Sequence, residues 1–344
     1  MKILVTGGMG YIGSHTIIEL IKNGKYDPVS VDSCVRSTSE TALRIAAITG
    51  KKIKNYPIDI CHKDAFFNIF KENPDIQGII HFAAYKSVPE SVENPLLYYR
   101  NNLESLANVL EACTQFGVEQ LIFSSSCSVY GEVVDLPVTE ATPIGQAISP
   151  YAHTKQIGEE MIRFYTQRHP QLKSVMLRYF NPVGADMSGK NGELSPDKPN
   201  NLVPIITQIG IGKLKELTVF GTDYDTRDGS CIRDYIHVSD IADAHVKALD
   251  FIQRNPENSA YEVFNLGSGT GVSVLEVIAA YEKVTGKRLP HRIGERRKGD
   301  VPAIYSDSHK ATTMHNWKCN HSLEEMIRSA WAWEQHLRTE SFLF

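Results

Sequence analysis

The feature that most constrains this 344-residue chain is the order of motifs in its first thirty-odd residues. Lys2 to Thr6 (K-I-L-V-T) is a short run of successive apolar residues, as in a parallel strand buried on both faces. Gly7, Gly10 and Gly13 follow at once as G-x-x-G-x-x-G. A helical repeat starts inside that run: Ile12, Thr16 and Leu20 recur at helical spacing, with Ile17 and Ile21 beside them. Gly24 suits its C-terminal end, and a second strand, Pro28 to Val31, leads to Asp32. Glycines let a backbone turn tightly and approach a pyrophosphate closely, and a helix N-terminus turns free N–H groups toward its charge. Asp32 lies nineteen positions after Gly13, close to the spacing of a carboxylate that binds adenosine ribose hydroxyls. That carboxylate repels a 2′-phosphate, so the expected cofactor is NAD. Arg36 nearby is the one group that suits NADP.

The alternation continues. Ile79 to Ala84 (I-I-H-F-A-A) reads as a buried strand entering a small-residue turn, and Leu121 to Phe123 as the next, ending at Ser124, Ser125 and Ser126. Leu103, Leu106, Val109, Leu110 and Cys113 mark a helix between them. Alternating strands and helices predict an α/β fold, a Rossmann-type doubly wound parallel sheet with right-handed crossovers. Ligands of such sheets bind beyond the carboxyl ends of the strands. That places the glycine turn, Asp32, the turn from Ala83 to Lys86 and the serine cluster along one edge, with Asp59 in reach of an adenine. At roughly 150 residues per domain the length fits two domains. The boundary is expected near residue 182: residues 1–182 form the dinucleotide domain. Residues 183–344, with Pro/Gly/Asn-rich loops from Pro182 through Asn201, form a second, smaller mixed α/β substrate domain.

Composition removes other classes. Hydrophobic residues are 42% and charged residues 22% of the chain, the mix of a globular protein rather than a disordered or coiled-coil one. Lys plus Arg number 36 against 40 Asp plus Glu, so the net charge of −4 gives no electrostatic footprint for nucleic acid. The six cysteines are widely spaced without a C-x-x-C pair, and the histidines lack ligand spacing, so neither a disulfide framework nor a metal site is expected. No apolar stretch approaches the roughly 20 residues of a membrane span. The start, MKILVTGGMG, does not read as a signal peptide. A cytoplasmic location is expected.

Tyr151-Ala-His-Thr-Lys155 is a Y-x-x-x-K motif opening a helix whose apolar face carries Ile157, Met161, Ile162 and Tyr165. Residues four apart share a helix face, which sets the phenol beside the ammonium. A free tyrosine, with a pKa of about 10, is a poor base at neutral pH. A neighbouring Lys⁺ and a positively charged nicotinamide ring both favour its phenolate. Ser126 would relay the proton. Alone, the motif is as well explained by a surface Tyr and Lys; behind a dinucleotide fingerprint and a strand-end serine cluster it reads as catalytic.

Together, Gly7-x-x-Gly10-x-x-Gly13, Ser124-Ser125-Ser126 and Tyr151-x-x-x-Lys155 resemble the extended branch of the short-chain dehydrogenase/reductase superfamily, and within it the UDP-glucose 4-epimerase family. The similar segments run nearly end to end, from VTGGMGYIGSHT (5–16), IIHFAAYKSVPES (79–91), IFSSSCSVYGE (122–132) and SPYAHTKQIGEE (149–160) to LRYFNPVGA (177–185), PNNLVP (199–204), DGSCIRDYIHVSD (228–240), FNLGSGTGVSVLEV (264–277) and RRKGDVPA (296–303). The resemblance implies an isomerase of galactose metabolism, interconverting UDP-galactose and UDP-glucose by transient oxidation at sugar C4 with tightly bound NAD. Tyr151 takes the 4-hydroxyl proton in that scheme. Carried over residue by residue, Tyr11 and Ile12 lie against the pyrophosphate. Asp32, Ser33, Ser37, Asp59, Ile60, Phe82, Lys86 and Asn101 complete the cofactor site with the glycines, Ser126, Tyr151 and Lys155, and Tyr179 approaches the nicotinamide. Phe180 and Asn181 meet ligand, and Asn201, Leu202, Arg233, Arg297 and Asp300 hold the UDP moiety. Arginine's planar donors suit a diphosphate, and an acid suits ribose hydroxyls.

Two positions depart from common family patterns. Cys127 stands where a small residue is frequent and is expected only to pack. Ile304 stands where some members carry a large aromatic that limits space beside the sugar 2-substituent, and others, which accept N-acetylated sugars, a smaller residue; Ile is intermediate in size, and weak or no activity on UDP-N-acetylglucosamine is expected. Epimerases of UDP-N-acetylhexosamines or UDP-hexuronates are the nearest alternatives. A 4,6-dehydratase needs an Asp-Glu pair where this chain has Cys127-Ser128, and a non-catalytic NAD-sensing regulator has no need of Ser126, Tyr151 and Lys155 together. The family topology folds part of residues 234–250 back onto the first domain. The family is commonly dimeric, which implies a homodimer pairing the helices around 101–116 and 152–168.

Overall fold

The apolar runs and helical repeats become alternating elements. In chain order they are β1 (Lys2–Thr6), α1 (Tyr11–Asn23), β2 (Asp27–Val31), α2 (Thr41–Thr49), β3 (Asn55–Tyr56), α3 (Lys63–Glu72), β4 (Ile76–His81), α4 (Val88–Glu93), α5 (Pro95–Phe116), β5 (Gln120–Ser126), α6 (Pro150–Arg168) and β6 (Lys173–Tyr179). There follow β7 (Asn181–Val183), α7 (Leu202–Gly210), β8 (Leu217–Phe220), β9 (Ile232–His237), α8 (Val238–Arg254), β10 (Tyr261–Leu266), β11 (Gly271–Ser273), α9 (Val274–Thr285), β12 (His291–Gly294), β13 (Ala303–Ile304), α10 (His309–Met314) and α11 (Leu323–Glu340). The structure is a computed structural model that describes residues 1–194, 199–255, 257, 260–297, 300–314 and 316–340. Parts of the expected loop 182–201 and of the segment 296–303 therefore lie outside the described residues. Among the described residues, no helix is long and apolar enough to cross a membrane.

Seven strands form one parallel sheet in the order β10-β6-β5-β4-β1-β2-β3. The chain moves outward from β1 to β3 and returns to β4 on the other side of β1. The order thus reverses between β1 and β4, where open α/β sheets form their ligand crevice. Ile3 and Val5 join one buried cluster with Ile17 of α1 and Leu249 of α8. Leu4 faces the other way, into a cluster with Phe66 of α3, Leu106 of α5 and Ile162 of α6. Helices cover both faces, which is why β1 reads as an unbroken apolar run rather than an alternating one.

Local readings shift at the ends of elements. The strand expected from Ile79 to Ala84 stops at His81, where Phe82 N donates to Thr6 O at 3.1 Å and Ala83 N to Thr6 Oγ1 at 3.2 Å, pulling the chain across the end of β1. β5 instead continues through all three serines, paired with β6 as far as Ser126 opposite Tyr179. β10 enters the sheet beside β6, a placement no local signal announces. α8 packs on α1.

The chain leaves the main sheet at Phe180. β7 pairs with β9, as do β13 (parallel) and β11 (antiparallel), and β8 pairs with β12. α7, α9 and α11 contribute Ile206, Val277, Tyr281 and Ile327 to a separate core around these strands.

One polar group crosses the larger sheet. Ser125, Arg178 and Asn265 are register partners on β5, β6 and β10. Glu159 of α6, 2% exposed, accepts from Ser125 Oγ at 2.5 Å and from Arg178 Nε at 2.8 Å and Nη2 at 2.5 Å. Arg178 also donates to Tyr130 Oη (3.0 Å), which donates to Asn265 Oδ1 (2.6 Å). Removing one partner strands a buried charge. Arg178→Ala is therefore expected to destabilise the protein by roughly 3–5 kcal/mol in urea denaturation. A loss below about 1 kcal/mol, the scale of exposed pairs, would contradict a buried role.

Candidate active site

The glycine turn joins the ends of β1 and α1. Gly7 adopts φ +70°, and a Cβ on it would lie 2.9 Å from Ala83 N. A Cβ on Gly13 would lie 2.3 Å from Gly7 O, so the turn closes only with glycine at both positions. Gly10 caps α1, no side chain caps it, and its first turn holds no acid. The helix N-terminus is thus left to an anion. The Asp32 carboxylate accepts from Met9 N at 3.0 Å, Cys34 N at 2.9 Å and Ser37 Oγ at 2.9 Å, which fixes it beside the turn. Arg36 is engaged elsewhere, with Glu90 at 2.5 Å, which further weakens the case for a 2′-phosphate.

The other cofactor positions gather nearby. Asp59 accepts from Cys61 N at 2.9 Å, and the carbonyl of buried Ile60 accepts from Asn108 Nδ2 at 2.9 Å. The Cys61 thiol contacts the carbonyl of Asn101 at 3.5 Å. Phe82 packs 4.6 Å from the His245 ring, which also lies 5.8 Å from the Tyr179 ring. Tyr11 donates to Gly184 O at 2.6 Å, with Lys86 Nζ 5.9 Å from its ring. Ser33 is exposed. Glycine turn, uncapped helix end and strand-end carboxylate together fit a dinucleotide.

The reacting end is built by α6, β5 and β6. Ser149 caps α6 by accepting from Ala152 N at 3.2 Å, and Pro150 starts the helix. Tyr151 and Lys155 thereby occupy its first turns. Lys155 is 5% exposed and donates to Ser124 O at 2.6 Å, with its Nζ 6.0 Å from the Tyr151 ring centre. Burial lowers its ammonium to about 8, and the Glu159 carboxylate one turn on works against that shift. Burial pushes the Tyr151 phenol up to about 12, and the Ser126 hydroxyl opposes this. Tyr179 donates to Ser124 Oγ, and burial raises its phenol strongly. The sequence pointed to Lys155 and a positively charged nicotinamide ring as the groups that ease Tyr151 toward phenolate. In the folded chain the ammonium also donates to the Ser124 carbonyl, and burial is the largest influence on the phenol.

The smaller group of strands supplies the rest. Arg233 donates to Val301 O at 2.8 Å and pairs with Asp300 at 3.4 Å. Register sets Ile304 opposite Arg233. Ile304 packs with Phe180, Val129, Tyr130 and Val138 in an apolar cluster. Cys127 rests against this cluster, with Arg233 and Asp234 near enough for their charges to act on its thiol, which burial raises to about 12. A thiol that high is no nucleophile, in keeping with the packing role expected of it. Asn181 lies on β7; Asn201 caps α7 and Leu202 begins it. Arg297 lies 4.5 Å over the ring of Phe220, beside an open cavity of about 660 Å³ lined by Asp223, Arg292 and Arg296 among others. The pairing of Tyr179 with Ser124 and of Arg297 with Phe220 went unread in the sequence, because a contact between residues far apart leaves no periodic or spacing signal.

A dinucleotide turn joined to a Tyr/Lys pair at the carboxyl ends of parallel strands defines an enzyme of the short-chain dehydrogenase/reductase type. The sequence matches the NAD dependent epimerase/dehydratase family over residues 3–267. It is 45% identical over 334 residues to the UDP-glucose 4-epimerase of Bacillus subtilis, covering 97% of each chain. The fold is similar to that of the UDP-glucose 4-epimerase of Stenotrophomonas maltophila, solved with bound NAD and formylated UDP-arabinopyranose (TM-score 0.95, 41% identity, 99% of each chain). It is also similar to that of the Bifidobacterium longum enzyme in complex with NAD+ and UDP (TM-score 0.92, 43% identity, 98% of each chain). The chain belongs to the NAD dependent epimerase/dehydratase family and, within it, to the UDP-glucose 4-epimerases.

Proposed function

We propose that this protein interconverts UDP-galactose and UDP-glucose by reversible inversion at sugar C4, within galactose metabolism. The carrying observation is the meeting of Tyr151, Lys155, Ser124 and Tyr179 at the ends of β5 and β6, on the sheet edge that holds the glycine turn. NAD, when bound, would supply the acceptor and then the donor of the C4 hydride. Gly7, Gly10, Tyr11, Ile12 and Gly13 hold the pyrophosphate. Asp32, Ser33 and Ser37 take the adenosine ribose, Asp59 and Ile60 the adenine side, and Phe82, Lys86, Asn101 and Tyr179 the rest of the dinucleotide. Tyr151 removes the proton of the sugar 4-hydroxyl, relayed through Ser126, and later restores it. Lys155 braces the strand end beneath them and lends positive charge. Asn201, Leu202, Arg233, Arg297 and Asp300 grip the UDP moiety, so that the sugar alone turns over, with Asn181 on the substrate side and Phe180 and Ile304 walling the sugar pocket.

In this reading residues 1–182 carry the cofactor, joined by α8 and β10, and the rest of residues 183–344 carries the UDP-sugar. Six free cysteines suit a reducing cytoplasm. Exposed Leu96 and Leu97 on α5 and Phe164 on α6 suit burial in a homodimer.

Incubation of the purified protein with UDP-galactose and no added NAD is expected to yield UDP-glucose. Tyr151→Phe should lower that rate by roughly 10²–10⁴-fold, the usual worth of a general acid–base, while NAD still copurifies; a fully active variant removes Tyr151 from the reaction. UDP-N-acetylglucosamine is expected to be a weak substrate or none, because Ile304 closes the wall beside the 2-substituent. A kcat/KM equal to that for UDP-glucose would refute this. Sedimentation should give twice the chain mass of 38.5 kDa, and a monomer at micromolar concentration would overturn the homodimer.

A further inference from the structure

Glu193 carries none of the roles above, yet its carboxylate lies between two of them. Its Oε1 accepts from Lys86 Nζ at 2.8 Å and from Asn201 Nδ2 at 3.4 Å. The two ends of the ion pair differ in freedom: the Glu193 side chain is 11% exposed, that of Lys86 62%. Glu193 is also pinned from behind. Its carbonyl accepts from Trp333 Nε1 of α11 at 2.9 Å. Ala185 and Gly192 bridge just before it, and Asn191 Nδ2 donates to Ser14 Oγ of α1 at 2.9 Å. A Cβ on Gly192 would come within 2.5 Å of the Trp333 ring. The turn is thus wedged between α1 and α11, and it presents a fixed negative charge to a flexible lysine that lies over Tyr11, at the start of α1.

We propose that Glu193 is a positioning residue that holds the Lys86 ammonium at the mouth of the dinucleotide site, and that through Asn201 the same carboxylate ties this hold to the segment gripping UDP. The inference rests on reading Lys86 as a cofactor ligand and Asn201 as a substrate ligand. A lysine has a flexible four-carbon stem and loses rotamer freedom when it engages a ligand. A fixed carboxylate removes part of that freedom beforehand. The lysine in turn neutralises an acid that would otherwise repel a pyrophosphate.

The test measures NAD release from purified holoprotein after dilution, in the wild type, Glu193→Ala, Glu193→Gln, Lys86→Ala and the double variant Glu193→Ala/Lys86→Ala. Glu193→Ala should release NAD about tenfold faster than wild type, the scale of one charge-assisted hydrogen bond. Glu193→Gln, which keeps an acceptor but not the charge, should fall between. Because Glu193 acts through Lys86, the double variant should release NAD no faster than Lys86→Ala. KM for UDP-galactose should rise in Glu193→Ala while kcat per NAD-loaded subunit stays within about twofold, as expected when binding rather than chemistry is disturbed. Wild-type release from Glu193→Ala, or full multiplication of the two single effects in the double variant, overturns the inference while leaving the reading of Lys86 intact. Wild-type release from Lys86→Ala overturns the assignment of Lys86 and the inference with it.

Discussion

The reacting end of this molecule hangs on one buried ion pair, Glu159 with Arg178. Taking two charges out of water costs several kcal/mol per ion, so the arrangement survives only with good geometry and every lone pair engaged. Here Ser125, Arg178 and Asn265 stand in one row across three strands, and Glu159 reaches down from α6 to two of them. Tyr151, Lys155 and Glu159 follow one another at four-residue spacing on one face of α6. Anchoring the last of them sets the azimuth of the whole face. The phenol and ammonium then meet the ends of β5 and β6 without further adjustment.

That placement has an electrostatic cost. Lys155 is lowered to about 8 and Tyr151 raised to about 12 because burial disfavours both charged forms. Lys155 answers with a hydrogen bond to the Ser124 carbonyl, and Ser126 eases the phenol. A cation in the adjoining dinucleotide site acts on Tyr151 in the same sense as Ser126. The strength of the proposed base is then a property of the loaded site more than of the helix alone.

Much of the fold was legible where chemistry is local. The glycine turn, the strands at Lys2–Thr6 and Pro28–Val31, and α1 ending at Gly24 follow from steric and periodic rules, and Gly24 does take the left-handed conformation that ends a helix. Tyr151 and Lys155 were legible because helical spacing puts them on one face. Less was legible where partners are distant in sequence. Nothing around Tyr261–Leu266 says that it pairs with β6, because a short apolar strand suits either sheet. Glu159 and Arg178 read as ordinary helix and strand residues until the sheet sets them together. Ile79–Ala84 read as a strand entering a small-residue turn; the strand gives way after His81 because Thr6, some seventy-five positions earlier, offers the next residues hydrogen-bond acceptors.

The amino-acid sequence by itself determined the class of sheet, the dinucleotide turn and the identity of the Tyr/Lys pair. Each depends on residues within a turn or two of one another, where backbone geometry dictates the outcome. Only the tertiary structure decided which carbonyl holds Lys155, which acid stands behind Lys86 and which apolar cluster Ile304 joins. Those contacts join residues from tens to well over a hundred positions apart. They exist only after segments distant in sequence have packed together, because a hydrogen bond or buried pair takes its strength from surroundings that a linear pattern does not contain.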